Sequence, residues 1–117
     1  MVVRSNKGEV KVKHFVWVSF DLGVKDDYEG IYTWLDRHDA KECGDSVACF
    51  SYDHSGDLLQ DIKQDLSDSV ELNAKSRIYV IRLVDGKMKG AFIFGRRRNA
   101  PWAGLAGTGE QAEDTNA

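Results

Sequence analysis

The chain has 117 residues, 42% hydrophobic and 30% charged, with a formal net charge of −3. This is the make-up of one globular domain, large enough to bury a core without metal or disulfide staples. No apolar run approaches the roughly 20 residues of a membrane span, and Met1 to Lys13 alternates charge with valine where a signal peptide would be apolar. A cytoplasmic protein with no membrane partner is expected.

The charge is unevenly spread. Asp21 to Glu71 holds 14 acidic and 4 basic residues, whereas Arg77 to Arg98 holds 7 basic residues against Asp85 alone. Arg4, Lys7, Lys11 and Lys13 oppose only Glu9 in the first 13 positions. An acidic total argues against an indiscriminate nucleic-acid coat, but a basic arm over residues 1–9 and a basic C-terminal third leave room for a local phosphate site.

Val10 to Leu22 carries the clearest pattern. Even positions (Val10, Val12, His14, Val16, Val18, Phe20, Leu22) are nearly all apolar. Odd positions (Lys11, Lys13, Phe15, Trp17, Ser19, Asp21) are mixed. Period two with β-branched and aromatic residues predicts a long strand whose even side faces a core. Asp26 then caps a helix, with Glu29 completing a capping box. Tyr28, Ile31, Tyr32 and Leu35 form its apolar stripe, and it should end near Asp39.

Ser46 to Tyr52 reads as a second strand and Asp53 to Asp57 as a turn. Leu58, Leu59, Ile62 and Leu66 predict a second amphipathic helix, and Ser67 to Lys75 a polar connector. Cys43 and Cys49 match no zinc spacing. If both lay on one strand, their Cα atoms would be about 20 Å apart, beyond disulfide reach, so they read as buried free thiols.

Arg77 to Val84 is a strand, and Asp85-Gly86 is the preferred dipeptide of a type I′ hairpin leading into Lys87 to Phe94. That turn sets Val84 against Lys87, Leu83 against Met88, Arg82 against Lys89, Tyr79 against Phe92 and Ile78 against Ile93. Residues 106–117 are small, polar and acidic, and read as a disordered tail behind a domain of residues 1–105. The predicted fold class is α+β, in the order β-α-β-α-β-β.

This order, with VSFDL ending the first strand at Asp21, DDYEGIY opening the helix around Tyr28, GDSVACF with Ser46, RIYVIRL and PWAGL, resembles the ferredoxin-like proteins grouped with the small CRISPR adaptation endonuclease. The likeness is greatest to their stand-alone, SinR-like relatives, with VapD-like toxins further off. The resemblance spans roughly Lys13 to Leu105. It implies a ferredoxin-like sandwich, a four-stranded antiparallel sheet with two helices on one face, assembled as a homodimer. An extra hairpin strand that such proteins often insert after the second strand is missing from this reading. The resemblance also implies that Asp21 is a catalytic metal ligand at the dimer cleft.

The residues supply candidates beside that implication. Asp21 sits on the odd face at the strand's carboxyl end. Two copies across a two-fold axis would offer Mg or Mn oxygen ligands for a divalent-metal-dependent ribonuclease or deoxyribonuclease; otherwise Asp21 caps a loop. Phe15 and Trp17 suit either a dimer interface or base stacking beside Lys11 and Lys13. Arg82, Lys87, Lys89, Arg96, Arg97 and Arg98 form a candidate RNA- or DNA-binding cluster, or else a solvated edge. His14, His38 and His54 share no metal spacing, and His14 reads as a satisfied, partly buried side chain. The leading function is a small dimeric nucleic-acid-associated protein. The alternative is a non-enzymatic dimerisation or protein-interaction module, such as a toxin–antitoxin or mobile-element component.

Overall fold

The computed structural model describes residues 2–4, through their backbone alone, and residues 10–107. Both the basic arm beyond Val2–Arg4 and most of the acidic tail lie outside the described residues. Strand β1 (Val2–Arg4) is followed by β2 (Val10–Asp21), helix α1 (Tyr28–Arg37), β3 (Lys41–Gly44), β4 (Val47–His54), α2 (Leu58–Ser69), β5 (Arg77–Val84) and β6 (Lys87–Phe94). The fold class is α+β. Among the described residues, no helix is long and apolar enough to cross a membrane.

The sheet is antiparallel in the order β3-β4-β2-β5-β6, with β1 paired to the start of β2. Each helix therefore joins two like-directed strands that flank an oppositely directed one: α1 links β2 to β3 across β4, and α2 links β4 to β5 across β2. Among the described residues, six strands replace the four expected. An additional hairpin strand is present after all, but β3 precedes the Ser46–Tyr52 segment. Its four residues are largely exposed, so no buried face imposes the alternation by which strands are recognised in sequence.

Alternation in β2 behaves as expected from Val16 onward: Val16, Val18, Phe20 and Leu22 are buried, and Ser19 and Asp21 look away from the helices. Nearer its start the expected core face fails, since Val10 and Val12 are 46% and 39% exposed. Length explains this. A 12-residue strand runs about 40 Å, whereas helices of 10 and 12 residues cover only about 15 and 18 Å. The first third of β2 outruns its cover.

The core joins that buried row to Ala48, Phe50 and Tyr52 of β4 and Ile78 and Val80 of β5, under Ile31, Trp34 and Leu35 of α1 and Leu58, Ile62 and Leu66 of α2. The α1 stripe differs from expectation. Tyr32 is 52% exposed and Trp34 is 1% exposed, because burial follows positions 31, 34 and 35, an i, i+3, i+4 set. The Trp34 indole donates to Asp65 Oδ2 (3.1 Å), and the Tyr52 hydroxyl donates to the same oxygen (3.0 Å). His38 Nε2 lies 3.5 Å from it and its ring packs on Trp34. Burial, with Asp65 and Asp61 alongside, pushes the Tyr52 hydroxyl up from its ordinary range.

The α1 cap is also shifted by one position. Asp27, not Asp26, accepts from the Gly30 amide (2.9 Å), and its other oxygen accepts from the Glu71 amide (3.0 Å), tying α1 to the segment after α2. Asp26 accepts from the Gly23 amide and from Asn73 Nδ2. The Asp85-Gly86 turn has φ values of 52° and 79°, as type I′ requires. The hairpin pairs as expected from Val84↔Lys87 to Tyr79↔Phe92, but Ile78 faces Phe94 rather than Ile93. One extra residue bulges there.

The Glu71 and Gly30 amides hold the Asp27 carboxyl below its ordinary range. Its stabilising contribution is complete above the unfolded carboxylate value of about 4 and is lost as pH falls through the lower folded value. Asp27→Asn keeps a capping oxygen but cannot titrate. Urea melts across an acid pH series should therefore show a variant that is less stable at neutrality and declines less steeply in acid. Parallel profiles would contradict this role.

Candidate functional site

The helix-free face of the sheet divides in two. Toward the β5–β6 turn it is apolar. Trp17, Ile81 and Gly90 lie side by side across β2, β5 and β6, and Leu83 faces Met88 in the next row. Phe15, Leu83 and Met88 are 46%, 51% and 55% exposed. Phe15 meets Trp17 edge-on with ring centroids 4.9 Å apart. Both aromatics thus stand where the sequence put them, away from the helices.

At the opposite end, register sets Ser19 beside Tyr79 and Asp21 beside Arg77, with Phe92 across from Tyr79. Asp21 is exposed on the uncovered face, as expected from its parity. Its Oδ2 accepts from Arg77 Nε (3.0 Å) and Nη2 (2.6 Å) and from Arg98 Nη2 (3.3 Å). The Arg97 guanidinium lies over the rings of Tyr79 (5.9 Å) and Phe92 (5.7 Å), and that of Arg77 over Phe92 (5.9 Å). Ser19, Asp21, Arg77, Tyr79, Phe92 and Arg97 line an open depression of about 310 Å³. Two guanidinium groups meet one carboxylate here and a third lies over the rings, so the site has a surplus of positive charge beside two π-faces.

Two glycines shape it. Tyr79 lies against Gly90, where an added Cβ would come within 2.1 Å of the tyrosine hydroxyl. Gly95 turns the chain at φ 76°, and its missing side chain lets it pass 2.8 Å from the Ser76 carbonyl and 2.7 Å from Arg77 Cγ, measured from the position a Cβ would occupy. The turn returns Arg96 to Arg98 toward the sheet, and Arg77 Nη1 donates to the Arg96 carbonyl (3.4 Å).

The expected basic cluster is not one site. Arg82 pairs with Val16 and Lys89, so Arg82, Lys87 and Lys89 project on the helix side of the sheet, near the hairpin turn beyond the helices. The Arg97 and Arg98 side chains serve the other face at the other end, where Arg96 contributes only its carbonyl. Adjacency on a hairpin hides this separation, although parity along β5 could have revealed it. Lys13 is paired with Asp53 (Nζ–Oδ1 3.0 Å), and Lys11 lines a cleft with Asp53, Asp61, Asp65 and Asp68. Arg77, Tyr79 and Phe92 were missed, since their only link to Asp21 is the β2–β5–β6 register.

The donor set of one chain does not fit a divalent ion. Asp21 gives one oxygen to two arginines, Asp26 and Asp27 are used up in the Gly23–Asn73 contacts and the α1 cap, and no group of three or more His, Cys, Asp or Glu gathers among the described residues. His14 Nε2 contacts the Leu83 carbonyl (3.1 Å), and His54 Nδ1 the Gly56 carbonyl (2.8 Å).

The cysteines correct the sequence reading. They lie on neighbouring strands, Cys43 exposed and Cys49 half-exposed, with their sulfurs 3.4 Å apart. The premise of a single strand failed because β3 was not recognised.

No family model matches the chain, and comparison with the curated proteins and with the solved structures gave no match.

Gly95→Ala should be destabilising by at least about 1–2 kcal/mol, because an L-residue is strained at that φ and its Cβ meets backbone. Chemical denaturation measures this; a change within error would mean that the turn is not needed to return the arginines.

Proposed function

We propose that the protein binds single-stranded nucleic acid on the uncovered sheet face, with phosphate held by Arg77, Arg97 and Arg98 and bases stacking on Tyr79 and Phe92 as Arg97 swings from the rings to phosphate. The observation that carries this reading is the guanidinium group of Arg97 lying over both rings while Arg77 and Arg98 share the single Asp21 oxygen. Arginine forks match phosphate oxygens in pairs, and each stacked base is worth ~1–3 kcal/mol. The Asp21 carboxylate acts as an internal anion that a phosphate competes with. Its half-exposed ion pairs are each worth only ~0–1 kcal/mol, so exchange is cheap. A ferredoxin-like reading is supported by the β3-β4-β2-β5 order, with β6 and β1 as additions. Mg- or Mn-dependent cleavage through Asp21 would need ligands from a second copy and release of its arginines, so binding alone is proposed.

Fluorescence polarisation with short single-stranded RNA and DNA at several salt concentrations tests the reading. Each lost phosphate contact should lower the log–log salt slope by about 0.7. The double change Arg97→Gln with Arg98→Gln should therefore flatten it by roughly 1.4. Asp21→Asn frees both guanidinium groups and should tighten binding a few-fold, on the order of 1 kcal/mol or less. Weaker binding in Asp21→Asn, or an unchanged slope in the arginine variant, defeats the assignment.

A second reading concerns the apolar end. Phe15, Leu83 and Met88 are about half exposed on one face, an arrangement that suits self-association through a two-fold axis. Because the arginines occupy the opposite end, a dimer and a nucleic-acid site do not compete for surface. Light scattering should give a dimer for the native chain and a monomer for Leu83→Glu with Met88→Glu. A native monomer at all accessible concentrations removes this reading and leaves the binding site intact.

A further inference from the structure

Cys43 occupies the irregular position of the β3–β4 pairing, between Glu42↔Ala48 and Gly44↔Val47, and Cys49 faces Lys41. This irregularity brings the two sulfurs into contact. Cys43 Sγ donates to Cys49 Sγ at 3.4 Å, with the Lys41 carbonyl at 3.6 Å as an alternative acceptor. The contact with Cys49 pushes the Cys43 thiol up from its ordinary value. Cys49 also borders an open pocket lined by Lys13 and Lys41. Exposure gives an external reagent access to both sulfurs.

We propose that Cys43 and Cys49 form an oxidisable dithiol whose reaction partner is a low-molecular-weight disulfide. The Cys49 thiolate attacks one sulfur of that reagent, breaking its S–S bond and releasing one thiolate, which takes up a proton. The resulting mixed disulfide is then attacked at the Cys49 sulfur by Cys43 as its thiolate. This step expels the second small thiolate and closes a Cys43–Cys49 bond. Two protein thiols are oxidised, one small disulfide is reduced to two thiols, and the two cysteine protons end on the leaving groups. Its structural effect is local. Strand β3 is a short edge strand joined to β4, and the new bond ties it covalently to its neighbour beside Trp17, which faces Cys49 from β2.

The test uses the full chain and oxidised glutathione. After equilibration with a large excess, the monomer should lose two hydrogens in intact mass and no longer be alkylated by iodoacetamide. Closing so short a loop should raise Tm by roughly 5–10 °C, and dithiothreitol should reverse all three changes. Cys43→Ser should stop at one glutathione carried on Cys49. The proposal is overturned if both thiols remain alkylatable, if each cysteine retains its own glutathione, or if only disulfide-linked dimers form. A mixed disulfide that accumulates in Cys49→Ser but not in Cys43→Ser overturns the order of attack.

Discussion

The whole arrangement depends on β2 being hydrogen-bonded along both sides while its two faces meet different surroundings. Its pairing with β4 and β5, and with β1 near its start, fixes the registers of its neighbours. Every buried strand position then follows from the row Val16, Val18, Phe20 and Leu22. Sealing that row under α1 and α2 satisfies the hydrophobic requirement on one side only. Burial of such side chains is worth about 1.5–3 kcal/mol each, enough to hold the parity of β2 against a one-residue slip, which would turn the whole row outward. The opposite row is thereby committed to the surface whatever it contains.

That surface contains a charge arrangement which no single element possesses. Asp21 comes from β2, Arg77 from β5, and Arg97 and Arg98 from the segment after β6. Guanidinium groups tolerate this crowding because they share a carboxylate and lie over aromatic faces that offer further electrostatic attraction. The same features make the group ready to accept another anion, since its internal partner is only half screened from water. The acidic helices and the cationic face thus divide the molecule electrically, despite a modest net charge.

Features carried by local periodicity were legible in the sequence: the inner half of β2, both amphipathic helices, the Asp85-Gly86 turn and most of the hairpin register. Features that depend on partners distant in sequence were not. Lys41–Gly44 lacks alternation because it is an edge exposed on both sides. The spacing of Cys43 from Cys49 misled for the same reason. Trp34 sat outside the expected stripe, though positions 31, 34 and 35 offered the pattern. For the candidate site, Asp21, Phe15 and Trp17 were put on the right face by parity alone. Arg77 needed the β2–β5 pairing to be noticed, and the basic residues of the hairpin were wrongly pooled with the arginines that follow it.

The bulge at Ile93 has a consequence for sidedness. A regular ladder would set Ile93 against Ile78 and bring the next ring, Phe94, opposite Arg77, onto the ground that Asp21 and its arginines now share. The inserted residue instead sends Phe94 to the helix side, where Lys63 lies 5.7 Å from its ring centre. Removing Ile93 would leave Phe94 opposite Ile78 and set Gly95 opposite Arg77, so the loss would fall on the core, where Ile93 is buried. Straightening β6 at unchanged length would instead exchange a polar vestibule for a phenyl plug, so the bulge both adds a second apolar side chain to the helix side and keeps the ground beside Asp21 open.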